Sequence, residues 1–261
     1  MKNASHLVVV GIVLVLSLRA SASVLFEDGF ESDTATMNFA DTSTTYYPQG
    51  WTTTAGDSRE VMVYNVNAIN DANKPATVPQ GVNALRIVDF GNSPKIVANW
   101  GSGNQHVSFS CDIYMLKDTG VTGSSLGVRL LDASDTIGAQ ISIFQTGTNS
   151  GLDIKYWNGS SVVTIATGVS SNTWAAMEID ADSATNKFTV TYDGVTYDNA
   201  GSGYAFTSNI GDIEKLNFVA STIAYKKYYI DAVSVQSIPE PVTIGLLSLG
   251  SFLMFAHKKR K

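Results

Sequence analysis

Apolar and polar residues alternate over short runs through most of this chain. From Ser23 onward, runs rich in Val, Ile, Thr, Tyr and Phe recur between clusters of Gly, Asn, Asp and Ser, and none repeats at the period of an amphipathic helix. This pattern predicts an all-β domain over residues 23–237, an antiparallel β-sandwich of two packed sheets. The predicted strands are 24–27, 59–64, 83–90, 95–98, 107–116, 126–131, 139–145, 152–157, 162–167, 174–180, 187–192, 195–197, 216–220 and 228–235.

Two dipeptides predict tight turns between strands. Asn158-Gly159 and Asp193-Gly194 each stand between two predicted strands, and both pairs tolerate the positive φ angles of a type I′ turn. Together they predict an antiparallel meander over residues 151–199. Residues 32–55 and 65–81 lack regular alternation and are predicted to be long loops, which in compact domains often carry function.

Longer apolar runs mark both ends of the chain. Lys2 precedes the apolar run 7–18, and Ala20-Ser21-Ala22 follows it with the small residues of a signal-peptidase site. Residues 1–22 are therefore predicted to be a secretory signal peptide, with signal peptidase as a processing partner. Near the C-terminus, the uncharged run 242–256 is shorter than the about 20 residues that span a bilayer.

The segment that contains this second run combines three features. Pro239 and Pro241 keep the backbone extended around Glu240, because a proline restricts its own φ and the residue before it. The apolar run follows, and a terminal cluster of Lys and Arg ends the chain, as the positive-inside bias requires of a cytoplasmic end.

Together, residues 238–261 resemble the PEP-CTERM sorting signal of Gram-negative bacteria. The resemblance implies an exosortase that recognises Pro239-Glu240-Pro241 and removes the transmembrane helix 242–256. It also implies a transient membrane anchor and a final location in the cell envelope, on the outer surface or in the extracellular matrix. An ordinary single-span anchor with a chance Pro-Glu-Pro is the alternative.

Charge and the scarcity of Cys and His restrict the chemistry of the central domain. Of 17 Lys and Arg residues, six lie in the terminal segments, whereas only Glu240 of the 23 Asp and Glu residues does, so the central domain is near −11. This acidity argues against nucleic acid or anionic lipid as a partner.

Cys111, the single cysteine, is predicted to be buried and cannot form an intramolecular disulfide. His106 is the single histidine of the domain, so a zinc site is not expected, and a Ser-His-Asp triad would depend on it.

Several stretches of the central domain together resemble a second group of known proteins. They are Leu25-Phe26-Glu27-Asp28-Gly29-Phe30-Glu31, Gly50-Trp51, residues 174–180, residues 188–194 and Tyr229-Ile230-Asp231-Ala232-Val233-Ser234-Val235. The pattern resembles concanavalin A-like jelly rolls, including laminin-G-like and carbohydrate-binding modules. The resemblance implies that the first and last strands are neighbours. It also implies a structural Ca²⁺ ion held by Glu27 and Asp231, with Asp28 as a weaker candidate; the alternative is surface acids without an ion.

A carboxylate-rich strand raises the possibility of catalysis. Glu178-Ile179-Asp180-Ala181-Asp182 resembles the Glu-x-Asp-x-x-Glu strand of laminarinase-type retaining hydrolases, which need two carboxyls about 5–5.5 Å apart. Ser183 stands where that motif has its second Glu. Residues 181–186 are predicted to turn, which would take Asp182 off the shared face, so a non-catalytic strand is the favoured interpretation.

Aromatic residues in or beside the predicted loops suggest sugar binding. Tyr46, Tyr47, Trp100 and Trp157, with Tyr204, could stack on the faces of sugar rings, whereas Trp51 and Trp174 are predicted to lie in the core. The sequence therefore predicts a secreted, non-catalytic jelly-roll protein that binds carbohydrate, such as extracellular polysaccharide. A glycoside hydrolase or polysaccharide lyase of the same fold and a purely structural matrix protein are the alternatives.

Overall fold

The computed structural model of the chain describes residues 22–32, 50–54, 60–66, 74–116, 123–145, 151–221 and 226–239. Within this described part, residues 22–238 belong to one compact unit. The described residues contain no helix, and hence none that could cross a membrane. Ala20, Glu240, Pro241 and the run 242–256 lie outside the described residues, as do Tyr46 and Tyr47.

Every described element of regular secondary structure is a β-strand. The strands are β1 (Ser23–Asp28), β2 (Trp51–Thr54), β3 (Val61–Asn65), β4 (Asn83–Val88), β5 (Lys95–Asn104), β6 (His106–Met115), β7 (Ser125–Leu131), β8 (Ile137–Gln145), β9 (Leu152–Trp157), β10 (Val162–Val169), β11 (Trp174–Asp182), β12 (Lys187–Tyr192), β13 (Val195–Tyr197), β14 (Tyr204–Ala205), β15 (Ile213–Ser221) and β16 (Lys227–Ser237).

The strands form two antiparallel sheets. Sheet A has the order β13-β12-β11-β6-β16-β4-β3, with β1 paired to β16 and β14 paired to β12. Sheet B has the order β10-β9-β8-β7-β15-β5-β2. Alternate residues of both sheets point into one hydrophobic core, so each sheet has an inner, buried face and an outer face. The predicted all-β class and pair of antiparallel sheets are confirmed.

Most predicted strands match observed strands, and the ends of the domain pair as expected. The first strand, β1, lies antiparallel to the last, β16, from Ser23 opposite Ser237 to Asp28 opposite Val233. Two observed strands were not predicted from the sequence: β2, which lies within the predicted loop 32–55, and the two-residue β14. The predicted single meander over 151–199 is wrong, because β9 and β10 belong to sheet B whereas β11, β12 and β13 belong to sheet A.

The two predicted hairpin turns differ in geometry. At Asp193-Gly194 both φ angles are positive, 49° and 76°, as a type I′ turn requires. At Asn158-Gly159 only Gly159 has a positive φ, and Trp157 pairs with Val162 across a four-residue loop. The Asn158 side chain accepts hydrogen bonds from the amides of Ser160 and Ser161, which stabilises this wider turn instead.

Aromatic residues occupy both the core and a smaller cluster on sheet A. Trp51 is buried between the sheets, where its ring contacts Phe26, Phe30 and Phe218. Trp174 instead packs on the outer face of sheet A, against a cluster of Tyr64, Tyr114 and Tyr229. The core position predicted for Trp51 is confirmed, whereas Trp174 lies outside the main core.

Cys111 is buried, as its alternating run predicted. Burial raises the pKa of its thiol, since a thiolate would lose its hydration there.

Candidate functional site

The glycosidase-like carboxylates all lie on β11, on the outer face of sheet A. Ile179 and Ala181 point into the core, which places Glu178, Asp180 and Asp182 together on the opposite face. The prediction that the chain turns at residue 181 is wrong, because β11 continues through Asp182. The turn begins at Ser183, and Asp182 stabilises it by accepting hydrogen bonds from the Ala184 amide and the Thr185 hydroxyl.

Each of the other two carboxylates is bound to its own neighbour on β6. The Ser108 hydroxyl donates to Glu178 at 3.0 Å, and His106 Nε2 lies 2.6 Å from an Asp180 oxygen. Glu178 is exposed, and Asp180 is 44% exposed at its side chain. The two carboxylates therefore face different hydrogen-bonding partners on an open sheet surface, rather than one shared point where a glycosidic bond could sit.

Asp231 lies at a bulge in β16 and is fully buried. Its register partner is Asp112 on β6, and Ala232, which follows it, has a φ of 51°. One carboxylate oxygen accepts a hydrogen bond from the backbone N–H of Gln80 at 2.8 Å, and the other accepts one from the backbone N–H of Ala232 at 2.7 Å. Burial raises the pKa of Asp231 to about 6, and the negative charges of Asp112 and Glu31 act in the same direction.

Glu27 does not join Asp231. It is exposed and pairs with Ser234, whereas the next residue, Asp28, faces inward and accepts the Trp51 indole N–H at 2.7 Å. Among the described residues, no group of three His, Cys, Asp or Glu side chains converges to hold a metal ion.

One buried amide oxygen at the start of β4 lacks a hydrogen bond. Asn83 is 6% exposed and begins β4, two residues before Leu85 pairs with Ile230. Its Nδ2 donates to the Phe30 carbonyl, but its Oδ1 has no hydrogen-bond partner within the described part of the chain. Ca²⁺ takes amide and carboxylate oxygens. Asp231 offers one such carboxylate, whereas Asn83 lies on the same face of β4 as the core residue Leu85, and Glu27 is exposed on β1.

The predicted sugar-binding aromatics occupy different environments. Trp100 lies within β5 and packs partly against the core, and Tyr204 on β14 has its ring 5.0 Å from that of Tyr156. Trp157 is the last residue of β9 and follows the core-packed Tyr156, which directs its partly exposed ring to the outer face of sheet B. Of these three described residues, Trp157 is the one placed on an outer face.

A row of side chains next to Trp157 crosses the outer face of sheet B. Val97 of β5 pairs with Asn217 of β15, Asn217 with Arg129 of β7, and Arg129 with Gln140 of β8. Because Tyr156 pairs with Ile141, Trp157 lies beside Gln140 at the end of this row. We call Asn217, Arg129, Gln140 and Trp157 the sheet B row.

Two polar atoms at the centre of the sheet B row lack hydrogen bonds. Asn217 is 6% exposed, and its Oδ1 has no partner within the described residues; the same holds for the buried Nε of Arg129. Burial also lowers the pKa of the Arg129 guanidinium. A buried polar group without a hydrogen bond costs about 1–3 kcal/mol. A ligand or a water molecule that bonds to both the unpaired donor and the unpaired acceptor would therefore be stabilising.

Apart from Trp157, the residues of the sheet B row were not predicted from the sequence. A weak signal was present, since Arg129 and Asn217 each interrupt an otherwise apolar strand. An interruption of this kind is also typical of any strand with one solvated face, so it does not identify a site.

Comparison with known proteins supports the fold. No protein-family model matches the chain, and no curated protein matches it. Among solved structures, it is similar to a conserved carbohydrate esterase from Shiga toxin-encoding bacteriophage phi24B, with a TM-score of 0.56 and 15% identity over 84% of this chain and 100% of that one. It is also similar to the T. cruzi calreticulin globular domain, with a TM-score of 0.51 and 11% identity over 91% and 97% of the two chains.

A third similar structure is a sialidase, with a TM-score of 0.50 and 14% identity over 68% of this chain. The matched region spans 17% of the sialidase chain. At these identities the likeness shows the fold alone, which is of the jelly-roll, concanavalin A-like type. Proteins named as enzymes share this fold, so the fold does not decide whether the chain is catalytic.

Proposed function

We propose that this protein is a non-catalytic carbohydrate-binding jelly-roll domain that binds glycan on the outer face of sheet B. The proposal depends on one observation: Arg129 Nε and Asn217 Oδ1 each lack a hydrogen-bond partner among the described residues, and both residues lie in one row with the partly exposed ring of Trp157. A sugar supplies hydroxyls that donate and accept hydrogen bonds, and its apolar face stacks on an aromatic ring.

The alternative is a hydrolase or lyase that uses Glu178 and Asp180. It is weaker because Ser108 and His106 bind these carboxylates separately, and because Ser183 replaces the second Glu of the motif. A purely structural matrix protein is the third candidate, and the unsatisfied polar atoms of the sheet B row argue against it.

A glycan array probed with the full-length chain, alongside a reducing-sugar release assay, separates the three. We expect saturable binding without sugar release, and at least tenfold weaker binding for Trp157→Ala. Val195→Ala, which removes an exposed apolar side chain from sheet A, is the matched control and should bind as wild type. Sugar release that is lost in Glu178→Gln would establish the enzyme instead, and no binding to any glycan would favour the structural protein.

The proposal includes the route by which the protein reaches its glycan. The signal peptide 1–22 and the Pro239-Glu240-Pro241 segment support secretion, exosortase processing and a place in the cell envelope or extracellular matrix. Replacing the three motif residues by Ala should leave an uncut chain in the inner-membrane fraction of a Gram-negative host that carries an exosortase. Equal processing of wild type and variant would favour a permanent single-span anchor.

The proposal also includes a structural Ca²⁺ ion near the end of β1. The buried carboxyl of Asp231 supports it, together with the negative charges of Asp112 and Glu31 that act on the same carboxyl. The ion would compensate the negative charge of this buried corner and would take no part in glycan chemistry. Urea unfolding in Ca²⁺ and in EGTA tests it, since an ion held by Asp231 should raise wild-type stability near neutral pH.

A further inference from the structure

The outer faces of the two sheets carry opposite charge. On sheet A, the outer-face acids that are at least partly exposed are Glu27, Asp112, Glu178, Asp180 and Asp182, and they outnumber Lys187 and Lys227; Asp231 and Arg86 are buried. On sheet B, the strands carry Lys95, Arg129, Lys155 and Lys215 against two described strand carboxylates, Asp153 and the partly exposed Glu214. A chain whose net charge is −6 therefore concentrates cations on one face.

Arg129 lies at the centre of these cations and differs from the lysines around it. Lys215 has its Nζ 2.7 Å from an Asp135 oxygen, and Lys155 has its Nζ 3.6 Å from an Asp153 oxygen. Within the described residues, Arg129 has no carboxylate partner, although it is half-buried and its neighbour Asn217 has a free oxygen. A desolvated cation without a counter-ion costs stability, and a bound anion would offset that cost.

A glycine lies beside Arg129 on the same face of β7. Gly127 lies two residues before Arg129 on the same face of β7, between Val219 of β15 and Ser142 of β8. A Cβ atom built at Gly127 would meet its nearest neighbour, the Val219 carbonyl oxygen, at 3.5 Å, which is ordinary van der Waals contact. Gly127 therefore places no side chain beside the guanidinium, although its own backbone is buried.

We propose that the outer face of sheet B binds a carboxylated polysaccharide of the uronate type, with Arg129 receiving the carboxylate and Asn217 Oδ1 accepting a neighbouring sugar hydroxyl. A guanidinium presents a planar pair of N–H donors that matches a carboxylate, whereas an ammonium acts as a point charge. Trp157 stacks on the next sugar along the row, and the lysines attract the polymer at longer range. This inference rests on the proposed glycan-binding function and names its ligand class.

Affinity electrophoresis and calorimetry with the full-length chain test the inference. The probes are polygalacturonate, the same polymer fully methyl-esterified, and a neutral galactan. We expect polygalacturonate to bind at least tenfold more tightly than the methyl ester, with an affinity that falls as salt is raised. Arg129→Gln should lose at least tenfold of the polygalacturonate affinity, and its preference for polygalacturonate over the methyl ester should fall to within twofold.

Two further variants keep the result interpretable. Lys187→Gln removes one positive charge from sheet A and should bind polygalacturonate within twofold of wild type. Lys95→Gln removes an exposed charge from the sheet B face, and should weaken binding two- to threefold even if Arg129→Gln fails to fold.

The possible failures are distinguishable. Equal losses in Arg129→Gln and Lys187→Gln would show general charge attraction and overturn the inference. Equal affinity for polygalacturonate, its methyl ester and the neutral galactan would overturn it while leaving the glycan-binding function intact. No binding to any of the three probes, together with a silent glycan array, would overturn both.

Discussion

Raising the pH from about 4 to about 7 is expected to destabilise the fold through the buried carboxyl of Asp231. Burial raises its pKa from 3.8 to about 6, despite the opposing effect of hydrogen bonds from the Gln80 and Ala232 amides. The folded protein therefore holds this proton more tightly than the unfolded chain does. The resulting stabilisation is complete below about pH 4 and is lost as the pH rises through about 6.

The magnitude follows from the difference between the two pKa values. One pKa unit corresponds to about 1.36 kcal/mol, so the change from 3.8 to about 6 amounts to about 3 kcal/mol of unfolding free energy. Asp112, opposite Asp231 on β6, also has its pKa raised by burial and adds a loss of the same sign. Glu31 contributes a further negative charge near Asp231.

Asp231→Asn isolates the contribution of this one carboxyl. The assay is urea unfolding followed by tryptophan fluorescence, in EGTA, at intervals between about pH 4 and about pH 7. The stability difference between wild type and variant should change by about 3 kcal/mol across this range, because every other carboxyl titrates in both proteins. Glu27→Gln is the matched control, since Glu27 is an exposed carboxyl on the neighbouring strand, and its curve should run parallel to wild type.

The result that refutes the reasoning is a constant stability difference between wild type and Asp231→Asn over the whole range. Millimolar Ca²⁺ provides a separate test. A cation held by Asp231 keeps the carboxylate ionised, so wild-type stability near neutral pH should rise and the pH-dependent loss should disappear, while Asp231→Asn is unaffected. Identical wild-type curves in Ca²⁺ and EGTA would refute the ion and leave the pH argument in place.

Three further predictions concern the fold. Trp51→Ala should lower the unfolding free energy by about 3–5 kcal/mol, because it removes a buried ring, and a loss under 1 kcal/mol in urea unfolding would contradict that position. Gly194→Ala should cost about 1 kcal/mol, since its φ is 76° with open space around it, whereas Gly211→Ala, also in open space, should be nearly neutral in the same assay. The Cys111 thiol should react with a thiol reagent only as fast as the protein unfolds, and rapid reaction of the native protein would show that it is accessible.

The strands could be predicted because alternation is a local property, whereas the pairing of the chain ends was predicted only through the resemblance to jelly rolls. Alternation of apolar and polar residues marks each strand, and β9, β12 and β13 begin and end where the pattern predicts. The division between sheets is not local. Nothing in the sequence around residues 169–174 distinguishes a hairpin within one sheet from the crossover that carries the chain from β10 in sheet B to β11 in sheet A.

The candidate sites were less predictable, for two physical reasons. Glu27 was predicted to converge with Asp231, yet Phe26 contacts the core, and this phase of the alternation turns Glu27 outward. The position of Asp231 depends on a bulge at which Ala232 adopts a positive φ. A positive φ is uncommon for alanine, so the sequence gives no reason to expect the bulge there.

The sheet B row depends on register between distant strands. Arg129 and Asn217 lie on β7 and β15, and they become neighbours only because Lys215 pairs with Leu131 and Phe218 pairs with Val128. A shift of that register by one residue would bring core-facing residues opposite outward-facing ones. The two unmet polar atoms are therefore visible in the fold and not in either strand alone.

The two outer faces differ in what the chain itself places on them. On sheet A, the segment before β4 lies over the acidic corner, since the Gln80 amide donates to Asp231 and the Trp174 indole donates to the Thr77 carbonyl. These contacts use hydrogen-bonding groups that a ligand would otherwise need. On sheet B, Arg129 Nε and Asn217 Oδ1 have no hydrogen-bond partner among the described residues. A polyanion is repelled by the acids of sheet A and attracted by the cations of sheet B, so charge alone orients the domain with the sheet B row toward the polymer before any specific contact forms.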